Sequence, residues 1–424
     1  AKMSTADDTV FKQYSEIIKS NGIKDVIKDV IVKSPEHTGD QFASQCKLVT
    51  VTFVDDSIPP IELFVKITVN NPQYASQIKE LMMFEKEARF FNLLLPDLKE
   101  FAKSKPGYDG YLDRILPKCY FASDNLVAFE NVTEKGYSIL NKKVPHTLNV
   151  VTQVVKNLAH FHGTVLAYIQ HIGREAFEKK YDFITAVSVW SEEATIANGP
   201  WVNVPIAGAI KILTEKPTPG SEKALEFLLK YENIGFAETC KLFNRDNQRC
   251  PNVINHGDLW NGNVMFQHNP ENQRPENSMI IDLQTVILGT PALDLQHYLF
   301  VAAEPKVIHS NWKKLLKIYY DDLCEINENL GQRVNFSFDD LENDFRSKCL
   351  GGFFMSLYNA YAFDALDDVG DMANSEGDAM YNFVSQMNFS LSKLMEPKGK
   401  QFSEQIFKIF NIFQDVRAGI EVTE

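Results

Sequence analysis

The spacing of apolar positions changes near residue 147, and the change divides the chain. Before it, β-branched runs at residues 47–54 and 61–69 flank Asp55-Asp56-Ser57-Ile58-Pro59-Pro60, a turn-rich connection that predicts a hairpin. Within Ile61-Glu62-Leu63-Phe64-Val65-Lys66-Ile67, strict alternation puts Ile61, Leu63, Val65 and Ile67 on one face and Lys66 on the other beside Phe64. Residues 77–95 then read as one helix, its buried stripe marked by Phe84, Ala88, Phe91 and Leu95 and its end by Pro96. Apolar runs at 112–121 and 126–129, parted by Ser123-Asp124-Asn125, predict a second hairpin. A helix over residues 11–20 precedes these elements and carries no assignable chemistry.

Beyond residue 147 the period is 3.6, first at 148–169 and later at 221–243, 312–330, 338–365 and 380–395, which predicts a mainly helical second part. Short apolar segments at 264–266 and 279–283 flank the polar stretch 267–278 as two strands around a loop would. Residues 198–220 hold Pro200, Pro205, Pro217 and Pro219 with little periodicity and read as a long loop. The expected architecture is α+β and two-lobed: residues 1–132 form an antiparallel-sheet lobe with one main helix, and residues 133–424 form a mainly helical lobe.

Composition narrows the function. The 424 residues are 44% hydrophobic, enough for a sizeable core, and the net charge of -13 argues against a general affinity for nucleic acid or an anionic membrane. The six cysteines lie far apart without a C-x-x-C pair, and neither an apolar leader nor an uncharged run of spanning length occurs. These features read as reduced thiols in a cytoplasmic protein with no membrane segment.

Candidate chemistry centres on His256-Gly257-Asp258-Leu259-Trp260-Asn261-Gly262-Asn263. An H-x-D followed five positions later by Asn is the pattern of a phosphotransfer loop, in which the Asp accepts a hydroxyl proton and the Asn holds magnesium. Such transfer is mostly positioning and charge neutralisation, so it also needs a cation for the phosphates, an anion to hold that cation, a phosphate-covering turn and a second metal ligand. Each has a candidate in the usual order. Lys66 alone reads as a solvated strand lysine, but a helix follows it, and there Glu87 lies nearer the buried stripe than Glu85 and is the better partner. Residues 36–44, with Thr38 and Gly39, offer one glycine for a covering turn. Asp282, in Ile280-Ile281-Asp282-Leu283-Gln284, follows Asn263 by nineteen positions at the end of an apolar strand.

In these features the chain resembles the protein-kinase-like fold in its small-molecule branch, alongside choline kinase and the aminoglycoside phosphotransferases, and more closely the insect ecdysteroid kinase-like family. The resemblance rests on His-Gly-Asp-Leu-Trp with Asn-Gly-Asn-Val-Met-Phe, on Ile-Asp-Leu-Gln, on Pro291-Ala292-Leu293-Asp294-Leu295 followed by Tyr298-Leu299, and on Phe64-Val65-Lys66 and Phe84-x-x-Glu87-x-x-Phe90-Phe91. It implies an ATP- and Mg2+-dependent kinase acting on a small-molecule alcohol, with the first lobe binding nucleotide and the second holding the catalytic and substrate-binding parts. Lys66 would bind phosphate, Glu87 would hold Lys66, Asp258 would be the base, and Asn263 and Asp282 would ligate magnesium. Glu130 and Val132 would offer a backbone carbonyl and amide to adenine. Where the family usually has Glu-Asp-Leu this chain has Glu130-Asn131-Val132, which keeps the backbone contacts and removes any role for an Asp side chain.

The resemblance also implies that Asp294 anchors the catalytic loop and that His256 supports its backbone. For His160 and His162, packing is the ordinary reading of a helical His beside an apolar stripe. Phe353, Phe354, Tyr358, Tyr361 and Phe363 read as helix core rather than pocket wall. An ecdysteroid or similar hydroxylated lipophile is the implied acceptor. A detoxifying kinase for xenobiotic alcohols fits the same residues, and a binding protein without phosphotransfer would be marked by loss of the lysine, base or metal ligands.

Overall fold

The computed structural model describes residues 4–5, 8–35, 43–193, 199–245, 250–269, 271, 274–367 and 376–422. Strands β1 (Ser4–Thr5), β2 (Ile27–Lys33), β3 (Gln45–Phe53), β4 (Ile61–Ile67), β5 (Cys119–Ala122) and β6 (Leu126–Glu130) form an antiparallel sheet in the order β1-β2-β3-β4-β6-β5. Alternation along β4 sets its two faces. Leu63 and Val65 point, with Val30, Val49, Val51 and Ala128, toward Tyr14, Ile17 and Ile18 of helix α1 (Asp8–Ser20). The N-terminal helix therefore seals the outer face of the sheet. On the inner face Val127 and Phe129 meet Phe84, Ala88 and Phe91, with Phe91 edge-on to Phe129 at 5.0 Å.

The helix expected over residues 77–95 is interrupted. Helix α2 (Pro72–Glu80) stops before Met82, which adopts φ 55, and α3 (Met83–Arg89) starts after it. Pro96 does not end the run, because a π-turn (Phe90–Leu94) widens the backbone just before it, with Leu95 N–H reaching Phe90 O. A ring without an N–H is tolerated at the start of the next turn, and α4 (Leu95–Lys103) continues through it. Of residues 112–121 only the end is strand; the beginning lies in helix α5 (Tyr111–Ile115).

The second part begins with β7 (Tyr137–Ile139), followed by the long helix α6 (Leu148–Ile172) and the short α7 (Arg174–Lys180). Residues 200–215, expected as loop, are helix α8 (Pro200–Glu215). Pro200 stands in the first turn, where its missing N–H removes no bond, and Val202, Ile206, Ala209 and Leu213 bury one side. Pro205 costs one interior bond, which that burial offsets. Residues 221–243 are two helices, α9 (Glu222–Leu229) and α10 (Gly235–Leu242), separated where Asn233 takes φ 64.

Strands β8 (Val253–Asn255), β9 (Val264–His268), β10 (Pro275–Ile280) and β11 (Ile287–Gly289) pair as β8 with β11 and as β10-β9-β7. This pairing places two loops side by side. One joins β8 to β9 and carries residues 256–263, the other joins β10 to β11 and carries residues 281–286. Behind them lie α11 (Ala292–Ala302), α12 (Pro305–Asn329), α13 (Phe338–Leu357), a second π-turn (Tyr358–Ala362), α14 (Phe363–Leu366) and α15 (Ala379–Ala418). The antiparallel-sheet lobe followed by a helical lobe is the two-lobed α+β architecture expected from the sequence. No described helix is long and apolar enough to cross a membrane.

Candidate active site

The face of β4 opposite α1 carries Lys66, and its Nζ lies 3.0 and 3.1 Å from the two carboxylate oxygens of Glu87 on α3. The same ammonium is 2.5 Å from Asp282 Oδ1 on the second loop. Glu85, by contrast, pairs with Arg89 on the outside of the helix. Burial opposes the charge on Lys66, but Asp282 and Glu87 outweigh it and hold the ammonium above the ordinary lysine range. Glu87 also accepts Leu283 N–H at 3.1 Å, so one carboxylate ties the sheet lysine to the second loop.

Asp282 lies two residues beyond β10 with φ 67, a left-handed conformation that is costly for a residue other than glycine. The first loop faces it. Asn263 turns its amide nitrogen back to Asp258, donating to the backbone oxygen at 2.8 Å and to Oδ2 at 3.2 Å. The amide oxygen is then the end that would face a cation. Burial and the charge of Asp282 push the Asp258 carboxyl up to about 8, against the lowering effect of Asn263.

These residues fit a hard divalent cation. Asp258, Asp282 and Asn263 offer only oxygen ligands, and of the nearby carboxyl groups Asp282 and Glu87 share the Lys66 ammonium while Asp258 is bonded to Asn263. Asp282 and Asn263 would hold the ion, and Lys66 would meet phosphate beside it.

The loop of residues 256–263 is held by partners far away in sequence. Asp294 Oδ2 accepts His256 N–H at 2.6 Å and Oδ1 accepts Gly257 N–H at 3.0 Å, as an anchoring role requires. Burial opposes the Asp294 charge, yet the His162 side chain and the loop amides keep its carboxyl below the usual range. His162 is fully buried, with Nε2 3.3 Å from Asp294 and Nδ1 2.8 Å from Tyr319 Oη, so it supports the anchor. His256 accepts Asp258 N–H on Nδ1 at 3.2 Å, which leaves Nε2–H to donate to Ile281 O at 2.8 Å. It thereby links the backbone of Asp258 to the residue before Asp282.

Glu130 and Val132 stand at the end of β6. The Glu130 carboxylate pairs with Lys135 at 2.7 Å on the surface, while Val132 opens a single helical turn, whose first N–H has no acceptor within the turn. Asn131 Oδ1 caps that turn by accepting Thr133 N–H and Oγ1–H at 3.3 and 2.7 Å. Thr38 and Gly39 lie outside the described residues.

Two neighbours of the site, Trp190 and Thr285, carried no sequence signal, whereas Gln284 closes the Ile-Asp-Leu-Gln motif. Trp190 donates its indole N–H to Gly257 O at 2.7 Å, Thr285 donates its hydroxyl to His256 O at 2.8 Å, and Gln284 reaches Asp282 Oδ2 at 3.3 Å. The C-terminal aromatics divide. Phe353, Phe354 and Tyr361 are core, as expected, whereas Tyr358 and Phe363 are half-buried and Phe363 stacks on Trp260 at 5.5 Å and 20°. Gly262 permits this, since a Cβ there would lie 2.5 Å from the Trp260 ring. The second π-turn brings Tyr358 and Phe363 to the same wall, their rings 5.7 Å apart.

The comparisons with known proteins follow this geometry. Among solved structures the chain is similar to choline kinase from Cryptosporidium parvum Iowa II, at 13% identity over 94% of this chain and 99% of that chain with a TM-score of 0.38. It is similar to choline kinase LicA from Streptococcus pneumoniae at 12% identity, 91% and 100% coverage and a TM-score of 0.35. For the GDP complex of wild-type aminoglycoside 2'-phosphotransferase-IIIa the values are 14%, 96%, 98% and 0.35. No curated protein matches the chain. The model of the ecdysteroid kinase-like family matches residues 38–332. That match supports a small-molecule phosphotransferase, and because it spans well over half of the sequence, the chain belongs to the ecdysteroid kinase-like family.

Proposed function

We propose that the protein transfers the γ-phosphoryl group of ATP, with Mg2+, to the hydroxyl of a small neutral alcohol, an ecdysteroid or a comparable hydroxylated lipophile. The observation that carries this reading is Lys66, bonded at once to Glu87 and Asp282 and so placed between the sheet lobe and the loops of Asp258 and Asn263. In this assignment residues 1–132 bind nucleotide and residues 133–424 supply the base and the acceptor site. Glu130 O and Val132 N–H meet the adenine edge. Thr38 and Gly39 cover the phosphates, and the protein works in the cytoplasm.

Asp282 and Asn263 would hold Mg2+, which when bound would supply charge neutralisation along the phosphates. The chain's own residues do the rest. Lys66 offsets phosphate charge from the sheet side, and Glu87 fixes where that ammonium sits. Asp258 accepts the proton of the acceptor hydroxyl as the new O–P bond forms and the bond to the ADP oxygen breaks. An ordinary alcohol does not ionise beforehand, so the base acts through placement.

A base must be deprotonated to work, and Asp258 is pushed up to about 8. The value of kcat/KM for ATP, which reports the free enzyme, is therefore expected to climb with pH through that region. A flat profile between roughly pH 6 and 9 would contradict the assignment of Asp258.

Trp260, Tyr358 and Phe363 form the proposed acceptor wall. A detoxifying kinase for xenobiotic alcohols would use the same wall, and substrate tests decide between the two. Phe363→Ala is expected to raise KM for a lipophilic acceptor about tenfold, the loss of one aromatic contact of about 1.4 kcal/mol, with ATP affinity unchanged within about twofold. An unchanged acceptor KM would remove Phe363 from the wall. The overall reading is tested by incubating the protein with Mg2+, ATP and a panel of steroid and xenobiotic alcohols, followed by mass spectrometry. Gain of one phosphoryl group by a panel member is the expected result. Absence of both ATP binding and any phosphorylated product favours a binding protein without phosphotransfer.

A further inference from the structure

Three lysines are buried among the described residues, and two of them meet carboxylates: Lys66 meets Glu87 and Asp282, and Lys348 meets Asp344 at 2.5 Å. Lys86 is different. It is fully buried on α3, and among the described residues its side-chain hydrogen bond runs from Nζ to the backbone oxygen of Val286 at 3.3 Å, with no carboxylate partner. Burial without a carboxylate pushes its ammonium down to about 8. A methionine would fill the same space without that cost, so the amine is retained against stability.

What the amine touches suggests why. Lys86 and Glu87 are consecutive on α3, and they bind opposite ends of one segment. Glu87 Oε1 accepts Leu283 N–H at 3.1 Å, and Lys86 donates to Val286 O. Between these ends Thr285 donates to His256 O at 2.8 Å on the catalytic loop. The segment begins at Asp282, whose left-handed φ of 67 persists only if the surrounding contacts over-determine it.

We propose that Lys86 is a positioning residue that clamps residues 282–286 onto α3 and so fixes the Asp282 carboxylate toward a divalent cation. The inference rests on the phosphotransferase reading. Lys86 touches neither substrate nor cation, and it acts through the backbone of Val286.

The test is isothermal titration of ADP at a series of Mg2+ concentrations, together with melting curves, for wild type, Lys86→Met and Lys86→Gln. Methionine removes the donor, and glutamine is too short to make the contact to Val286 O. Either variant is expected to melt no lower than about wild type and to need roughly three- to tenfold more Mg2+ for half-maximal tightening of ADP, a loss on the order of 1 kcal/mol. Unchanged Mg2+ dependence in either folded variant overturns the inference. Should methionine fail to fold, the glutamine variant decides alone, and failure of both to fold also overturns it, because the amine would then be required by the fold. A wild type whose ADP binding ignores Mg2+ overturns the phosphotransferase reading as well, so the two failures are distinguishable.

Discussion

Asp258→Asn is expected to lower turnover about a thousandfold while ADP affinity stays within about threefold and the fold becomes about 2 kcal/mol more stable at pH 7. The three effects share one cause. Burial and the nearby charge of Asp282 raise the carboxyl from an ordinary 3.8 to about 8 in the folded protein. Between those values the folded state binds a proton that the unfolded state has released, so stability contributed by this group falls as pH rises from about 4 to about 8. The asparagine amide carries no charge and escapes that penalty. Full conversion of the shift would give a larger number, and contact of the side chain with solvent reduces it. Steady-state kinetics, ADP titration and urea unfolding read the three quantities. Near-normal turnover would exclude Asp258 as the base, and a variant less stable than wild type would deny that the carboxylate is held at a cost.

Gly257→Ala is expected to destabilise the protein by about 3 kcal/mol or more and to abolish activity. Gly257 takes φ 82, and a Cβ there would lie 2.4 Å from Thr285 O. The left-handed conformation costs an alanine about 1–2 kcal/mol, and the contact with a backbone oxygen adds the remainder. That oxygen belongs to the loop of Asp282, so relief of the clash moves Asp258 away from Asp282. Gly110 is the control. It has φ 84 but nothing within 4 Å of a Cβ, so Gly110→Ala is expected to cost only about 1–2 kcal/mol. Equal losses at the two positions, by thermal or urea unfolding, would contradict the close approach of the two loops.

The parts of the site that the sequence disclosed are those encoded by short spacing. Alternation in β4 placed Lys66 on the face away from the outer core, and helical spacing ranked Glu87 above Glu85, because both depend only on residues a few positions apart. The H-x-D loop was legible for the same reason, and Asp282 through its place at the end of an apolar strand nineteen positions after Asn263. Trp190, Thr285 and Lys86 were not. Their partners are 67, 29 and 200 positions distant, and no local pattern marks an indole or amine that serves a remote carbonyl.

Element boundaries failed where backbone chemistry overrode pattern. The prolines at 200 and 205 suggested a loop, yet a first-turn proline removes no hydrogen bond and a buried stripe carries the helix past the second. Pro96 suggested a helix end, and a π-turn let the chain continue. The second π-turn also joins Tyr358 to Phe363 and brings their rings within 5.7 Å of each other, a spacing that an ideal 3.6-residue period does not register.

The most direct measurement follows the label of γ-labelled ATP in the presence of Mg2+ and a lipophilic alcohol, with wild type and Asp258→Asn compared at equal nucleotide occupancy. The account predicts that the wild type places the label on the alcohol and that the variant, still binding nucleotide, leaves it on ATP. Label found only on inorganic phosphate, or transferred equally well by both proteins, would contradict it.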